Sequence, residues 1–395
     1  MPATLRGGRR LAGDKLKITI HDSIAALPGA AWDRLAGTDF PFLRHAFLEL
    51  AESTGSVSPD AGWTPRHLVL EDDGQLRAAM PLYEKSHSWG EFVFDWAWAN
   101  AYAQAGFDYY PKLVSAVPFT PAPSTRFLCA DENDDEAVDL LIAAATQLAA
   151  DTNCSSLHIL FPTEKEAPAL ERNGLMLRKD CQFHWHNRGY ESFDDFLATF
   201  TSAKRKKAKR DRRRVAEQGI RFRRVPGAEL DRETWSVVYA LIARTFMMRG
   251  SLPYFDQAFF EGLSEQLPDN ILVILAELDA QPIAAAVFYE SATALYGRYW
   301  GSEGHYDALH FETCYYQGID YCIETGKQRF EPGTQGEHKV ARGFIPVTTW
   351  SAHWLAHPEF AGAIERYLDA EGRHIDRYMD DVDNRTPYRS GDDEP

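Results

Sequence analysis

The chain has 395 residues, 45% of them hydrophobic and 13% aromatic, which fits two globular domains and excludes a disordered or fibrous protein. Its formal charge of −16 argues against a general binder of nucleic acid or membranes, and its five scattered cysteines, with no CxxC pair, argue against a disulfide framework. No apolar run is long enough to cross a bilayer and no apolar segment follows Arg9-Arg10, so a cytoplasmic location is expected for a bacterial protein.

Residues 1–19 read as an N-terminal arm and 20–190 as a first α/β domain. Residues 66–71 form an expected strand, Asp72-Asp73-Gly74-Gln75 a hairpin turn and 76–83 the return strand. Residues 100–113 are an aromatic-rich loop ahead of Val117-Pro118-Phe119-Thr120-Pro121. Its Tyr109, Tyr110 and Lys112 are candidates to line a groove for an extended, partly polar substrate, with ordinary packing as the alternative. A helix over 136–150 and a strand over 156–161 follow. Cys181, His184 and His186 have the identity of metal ligands but sit in a strand-like stretch without a fourth ligand, and no metal is expected.

Residues 191–219 read as a basic helical connector. A helix over 193–200 has Ser192 as N-cap, and a second over 203–218 closes at Gly219. Residues 204–214 hold nine bases and one acid, a charge of +8 against −24 for the rest of the chain. Like charges four apart, such as Arg205 and Lys209, weaken a helix, and that cost points to a polyanion to be neutralised. Lys204, Arg205, Lys206, Lys209, Arg212 and Arg213 are the candidate polyanion-binding residues; pairing with the chain's own carboxylates is the alternative.

Residues 220–370 read as a second α/β domain. Strands are expected over 220–225, 271–278, 283–289 and 295–300, with a turn at 279–282. Gly301-Ser302-Glu303-Gly304 lacks the lysine of a P-loop, and His310 reads as a packed or capping residue. A helix over 311–325, capped by Gly326, leads to a strand ending at Glu331. The same succession of meander, helix and strand in both halves suggests an internal duplication. Residues 331–346 then gather Glu331, Gln335, Glu337, His338, Lys339 and Arg342 with three glycines, which offers a base, an acid and anion clamps in one loop. A charged surface loop is the alternative. Residues 371–395 read as an acidic tail.

Residues 109–121, 202–219 and 331–346 resemble the FemAB-like proteins of GNAT fold. Leu295-Tyr296-Gly297-Arg298-Tyr299-Trp300-Gly301-Ser302 is similar to the second GNAT unit of the wider FemABX transferases. The resemblance runs from about residue 21 to about residue 381. It implies an α/β (α+β) fold of two tandem GNAT-like domains, each a mixed, partly split sheet flanked by helices. It also implies amide formation, with an aminoacyl-tRNA donating to an amine of a peptidoglycan precursor. Ordinary GNAT enzymes bind acyl-CoA on an Arg/Gln-x-x-Gly-x-Gly/Ala loop; residues 301–308 depart from it, and Glu303 and Asp307 would repel a pyrophosphate. The expectation is therefore an acyl- or aminoacyltransferase acting on a small-molecule or peptide amine, with aminoacyl-tRNA as co-substrate on the basic helix and no resident cofactor. An acyl-CoA-dependent N-acyltransferase and a non-catalytic binder of peptidoglycan precursor or RNA are the alternatives. In this reading Glu337 or His338 accepts the amine proton and Lys339 and Arg342 hold anionic groups. Gln335, Glu331, Arg298 and Tyr299 line the site.

Overall fold

The structure, a computed structural model, describes residues 16–389 except Gln335. Most of the expected arm, Gln335 and the last acidic residues lie outside the described residues. Two compact units emerge, one of residues 1–180 and 348–376, the other of 181–347 and 377–395.

The first unit begins with strands β1 (Lys17–His21), β2 (Trp63–Pro65), β3 (His67–Asp72), β4 (Gln75–Met80), β5 (Tyr83–Lys85), β6 (Lys112–Ser115), β7 (Leu128–Cys129) and β8 (Ser156–Leu160). β1 thus takes up the end of the expected arm. One sheet has the order β1-β3-β4-β7, all antiparallel; the other runs β2-β5-β6-β8, where β6 and β8 are parallel. The expected hairpin joins β3 and β4. Asp73 and Gly74 adopt φ of 49° and 76°, the left-handed pair whose twist matches that of the flanking strands. Helix Asp135–Asp151, capped by the Asp134 side chain on Ala137 N, lays Leu141, Ile142, Ala145 and Leu148 into a core with Leu68, Leu70, Met80 and Leu157.

The second unit is built on β9 (Met176–His186), β10 (Arg221–Pro226), β11 (Ile271–Leu278), β12 (Gln281–Glu290), β13 (Ala294–Ser302) and β14 (Arg329–Glu331). Their order is β10-β11-β12-β13-β14-β9, with β13 and β14 parallel. The fully apolar run Ile271–Ala276 makes β11 a buried strand, and Asp279 and Ala280, both at positive φ, turn it into β12. Finally β15 (Ile345–Leu355) supplies, through Ser351–Leu355, the antiparallel neighbour of β8 in the first unit. Each unit therefore has an antiparallel meander, a parallel pair reached through a helix, and an antiparallel strand beside it.

Some boundaries differ from the expectation. The units interleave along the chain instead of following one another as 20–190 and 220–370, because β15 returns to complete the first. The connector over 191–219 is part of the second unit: helices Phe193–Ala198 and Ser202–Glu217 bury Phe196, Leu197 and Ala208 in its core. The acidic tail is helical as far as Asp383, since Pro358–Asp383 buries Ile364, Leu368 and Val382 on one stripe and leaves Asp380, Asp381 and Asp383 in solvent. The helix expected over 311–325 is three pieces, α-helical at Leu309–Phe311, a π-turn at Glu312–Tyr316 and α-helical again at Gln317–Thr325. Among the described residues no helix is long and apolar enough to cross a membrane.

Candidate functional site

The second unit positions Arg298 by a defect in its sheet. Across β12 and β13, Val287 faces Tyr299 while Phe288 faces Gly297, so Arg298 is the extra residue of a β-bulge. Bulges of this kind re-aim a side chain. The pairing of β13 with β14 ends at Tyr296 and Glu331, and β13 runs on to Ser302, so the parallel strands part just beyond. Arg298 lies buried at that fork. Its Nη1 donates to the carbonyls of Gly297 and Glu331 at 2.9 and 3.4 Å, and its Nη2 stands 3.9 Å from Glu331 Oε2. Arg329 Nε is 2.8 Å from Glu331 Oε1. Burial nevertheless pushes the Glu331 carboxyl up, against the pull of both arginines. Tyr299 is packed into the core against Phe260, with ring centres 5.3 Å apart.

The loop after β14 reverses on Gly333 and Gly336, at φ of 92° and 112°, and then makes a single 3-10 segment, Glu337–Arg342. Lys339 turns inward from it. Its ammonium is buried and donates to the Gly333 carbonyl at 2.5 Å. Burial, and then the nearby Arg298 charge, lower it to about 7. His338 Nε2 is 2.8 Å from the Tyr315 hydroxyl, and burial followed by Arg342 and Lys339 keeps its ring neutral. The π-turn is what brings Tyr315 to that ring, an irregularity frequent at functional sites. His310 packs against Trp300 and Tyr315, as expected of it. Arg342 donates to the His338 carbonyl at 2.5 Å and lies 3.3 Å over the Phe311 ring. Glu337 is exposed, and Tyr378 Oη and Arg385 Nη1 each donate to it at 3.1 Å.

The basic helix buries Ala208, Asp211 and Val215 on one stripe, which settles how nine cations are accommodated. Lys206, Lys209 and Arg213 are exposed, and Lys204 and Arg205 partly so. Arg212 does not belong with them. Its guanidinium lies 3.1 Å from Glu312 and 2.6 Å from Asp320, stacked 4.3 Å over Phe193, where it fastens the helix to the π-turn. Asp211, 3.7 Å from Arg342, ties the same helix to the site loop.

In the first unit, Tyr109 and Lys112 are buried in a polar network, and Tyr110 is partly exposed. Lys112 Nζ donates to Ser88 Oγ and Glu91 Oε2, both at 2.8 Å, and to Asp95 Oδ2. Tyr109 donates to Asp95 at 2.7 Å and stands 3.2 Å from His158 Nε2. His158 and His353 face each other across β8 and β15 with Nδ1 atoms 2.6 Å apart. One of them therefore carries a proton there and the other a lone pair. Burial holds His158 down, to about 3, and His353 well below its usual range, so both stay neutral. Sequence reasoning missed Lys85, Ser88, Glu91, Asp95, His158 and His353. The one local sign was a pair of acids set among aromatics in Trp89-Gly90-Glu91-Phe92-Val93-Phe94-Asp95-Trp96.

A sequence profile of the FemAB-like family, described as peptidoglycan biosynthesis/recognition, matches residues 23–390. The chain belongs to the FemAB-like family. Solved structures agree in fold. FemX superposes with a TM-score of 0.54 at 13% identity, over 86% of this chain and 98% of its own. The C-terminal domain of a putative lysylphosphatidylglycerol synthetase from Agrobacterium fabrum also gives 0.54, at 9% identity over 88% and 97%. A conserved protein of unknown function from Bacteroides thetaiotaomicron gives 0.50, at 10% identity over 85% and 98%. No curated protein sequence matches. This FemAB-like chain is thus a tandem GNAT-like α/β protein. Among its described residues no three His, Cys, Asp or Glu side chains come together as metal ligands; His184 instead lies buried, 3.2 Å from the Gln182 side chain.

Proposed function

We propose that this chain forms an amide by moving an aminoacyl or acyl group onto an amine, with Lys339 taking the proton that the amine gives up. The observation that carries the reading is the buried Lys339 amine, brought to about 7 beside the fork of β13 and β14. An attacking amine needs a base whose pKa lies near the working pH, and a group at about 7 meets that condition. The Arg298 charge, fixed at the bulge, supports the developing oxyanion in a low-dielectric setting. A solvent-exposed Glu337 held by Arg385 suits this role less, whereas His338, neutral beside Tyr315, positions the substrate end of the loop. Exposed Lys206, Lys209 and Arg213 support a charged tRNA as donor, and the family's description supports a cell-wall precursor as acceptor.

Transfer of labelled aminoacyl groups from charged tRNA to a peptidoglycan precursor tests the reading. Product with the wild type and none with Lys339→Met is expected. Transfer supported by acyl-CoA and indifferent to tRNA would overturn the donor, and full activity in Lys339→Met would overturn the base.

A further inference from the structure

The ionic cluster of the first unit takes no part in the chemistry assigned to the second. An ammonium has three N–H donors, and Lys112 uses all three, on Ser88, Glu91 and Asp95. Lys85 Nζ donates to the Trp89 carbonyl at 3.2 Å and lies 3.6 Å over the Trp63 ring. The hydroxyl proton of Tyr109 goes to Asp95 Oδ2. What remains unused is acceptors. Glu91 Oε1 and Asp95 Oδ1 are buried without a hydrogen-bond partner, in side chains only 3% and 2% exposed as residues. Their sister oxygens meet on one Lys112 ammonium, so both spare oxygens belong to a single place in the fold.

The sign of charge agrees. Burial lowers Lys85 to about 7 and raises Glu91 to about 7, while Asp95 and Lys112 stay charged, so the cluster is close to neutral at pH 7 and turns net negative as the pH rises above it. The surroundings already suit ammonium groups, since Lys112 lies 5.4 and 5.8 Å from the ring centres of Tyr109 and Tyr110. Residues 86–96 carry Ser88, Glu91 and Asp95 on their inner side. Outward they show Trp89, Phe94 and Trp96, which are 62%, 56% and 41% exposed. The partly exposed Tyr110, bonded to Ser88 at 2.8 Å, marks where the cluster meets solvent.

We propose that this cluster is a binding site for a primary amine, whose ammonium donates to Glu91 Oε1 and Asp95 Oδ1 while its body lies against the aromatic segment 86–96. The site is independent of the transfer reaction, and its test requires no turnover. The full chain is titrated calorimetrically at pH 8 with glucosamine and with D-alanine, each beside its N-acetylated form, and with sodium and potassium chloride. At least one free amine is expected to bind roughly tenfold or more tighter than its N-acetyl form, and Glu91→Gln to weaken it by a similar factor. If Glu91→Gln does not fold, the wild type alone decides: affinity for D-alanine, whose ammonium stays charged throughout, should rise from pH 6 to pH 8 as Glu91, raised to about 7 by burial, ionises. Equal affinity for amine and N-acetyl form, unchanged affinity in a folded Glu91→Gln, saturation by the salts alone, or no binding of either amine overturns the proposal.

Discussion

Replacing Lys339 by Met should make the protein more stable and inactive. Lys339 falls from its ordinary 10.5 to about 7, and the first cause is burial. At about 1.4 kcal/mol per unit, holding that amine in the fold costs on the order of 4 kcal/mol at pH 7. Methionine has similar length and no charge, and gives up one hydrogen bond to the Gly333 carbonyl, worth about 1 kcal/mol. A net gain of roughly 2–3 kcal/mol at pH 7 is expected. Its pH dependence is the sharper signature. The unfolded lysine keeps its proton up to 10.5 and the folded one only to about 7, so between those values the unfolded state binds more protons. Wild-type stability therefore rises with pH across that window, and the advantage of the variant should largely vanish by about pH 10. Urea unfolding of both proteins at pH 7 and 9.5 measures this, and the titration of Lys85 cancels in the difference. A variant less stable than wild type at pH 7, or an advantage that does not shrink with pH, would refute the reasoning.

Other outcomes follow from the same contacts. Arg212→Ala should lose roughly 3 kcal/mol in urea unfolding, because it strands the buried Glu312 and part-buried Asp320 carboxylates. Reversing Lys206, Lys209, Arg210 and Arg213 to Glu should shift the melting temperature little, as exposed charges contribute little. In filter binding the same reversal should abolish tRNA retention and its steep salt dependence; tRNA affinity unchanged by the reversal would rule the helix out as the contact. Glu337→Gln should keep turnover within about twofold, since the side chain is exposed and held by surface partners. His353→Ala should cost about 2–3 kcal/mol by thermal melting, as it strands the inward nitrogen of His158.

The regular parts of this fold are local and could be read from sequence. The Asp-Gly turn at Asp73-Gly74, the alternating and apolar runs of the second meander, the Ser192 cap and the Gly326 cap each declare themselves within a few residues. The π-turn at Glu312–Tyr316 does not, because it depends on Arg212, which lies 100 positions before Glu312 and bonds to it at 3.2 Å. The site loop was legible as a concentration of ionisable residues, but its roles were not. Whether Glu337 or Lys339 faces inward is decided by the direction of one 3-10 segment and by Arg385, far along the chain. The polar network of the first unit was hidden for the same reason. His158 and His353 are 195 positions apart, and each alone reads as an ordinary strand residue.

The return of β15 to the first unit sets an order in time. A ribosome makes β8 and then the whole of residues 181–347 before the strand that will lie beside β8 exists. Until Ser351–Leu355 emerges, the nascent first unit has an open β8 edge and an unmatched His158, which makes late, post-synthetic closure its natural folding step. It follows that no cut between residues 180 and 348 yields two self-sufficient halves. A gene fragment ending near residue 190 should accumulate as insoluble or chaperone-bound chain, and supplying 348–376 in trans or by circular permutation is the route to isolating this unit.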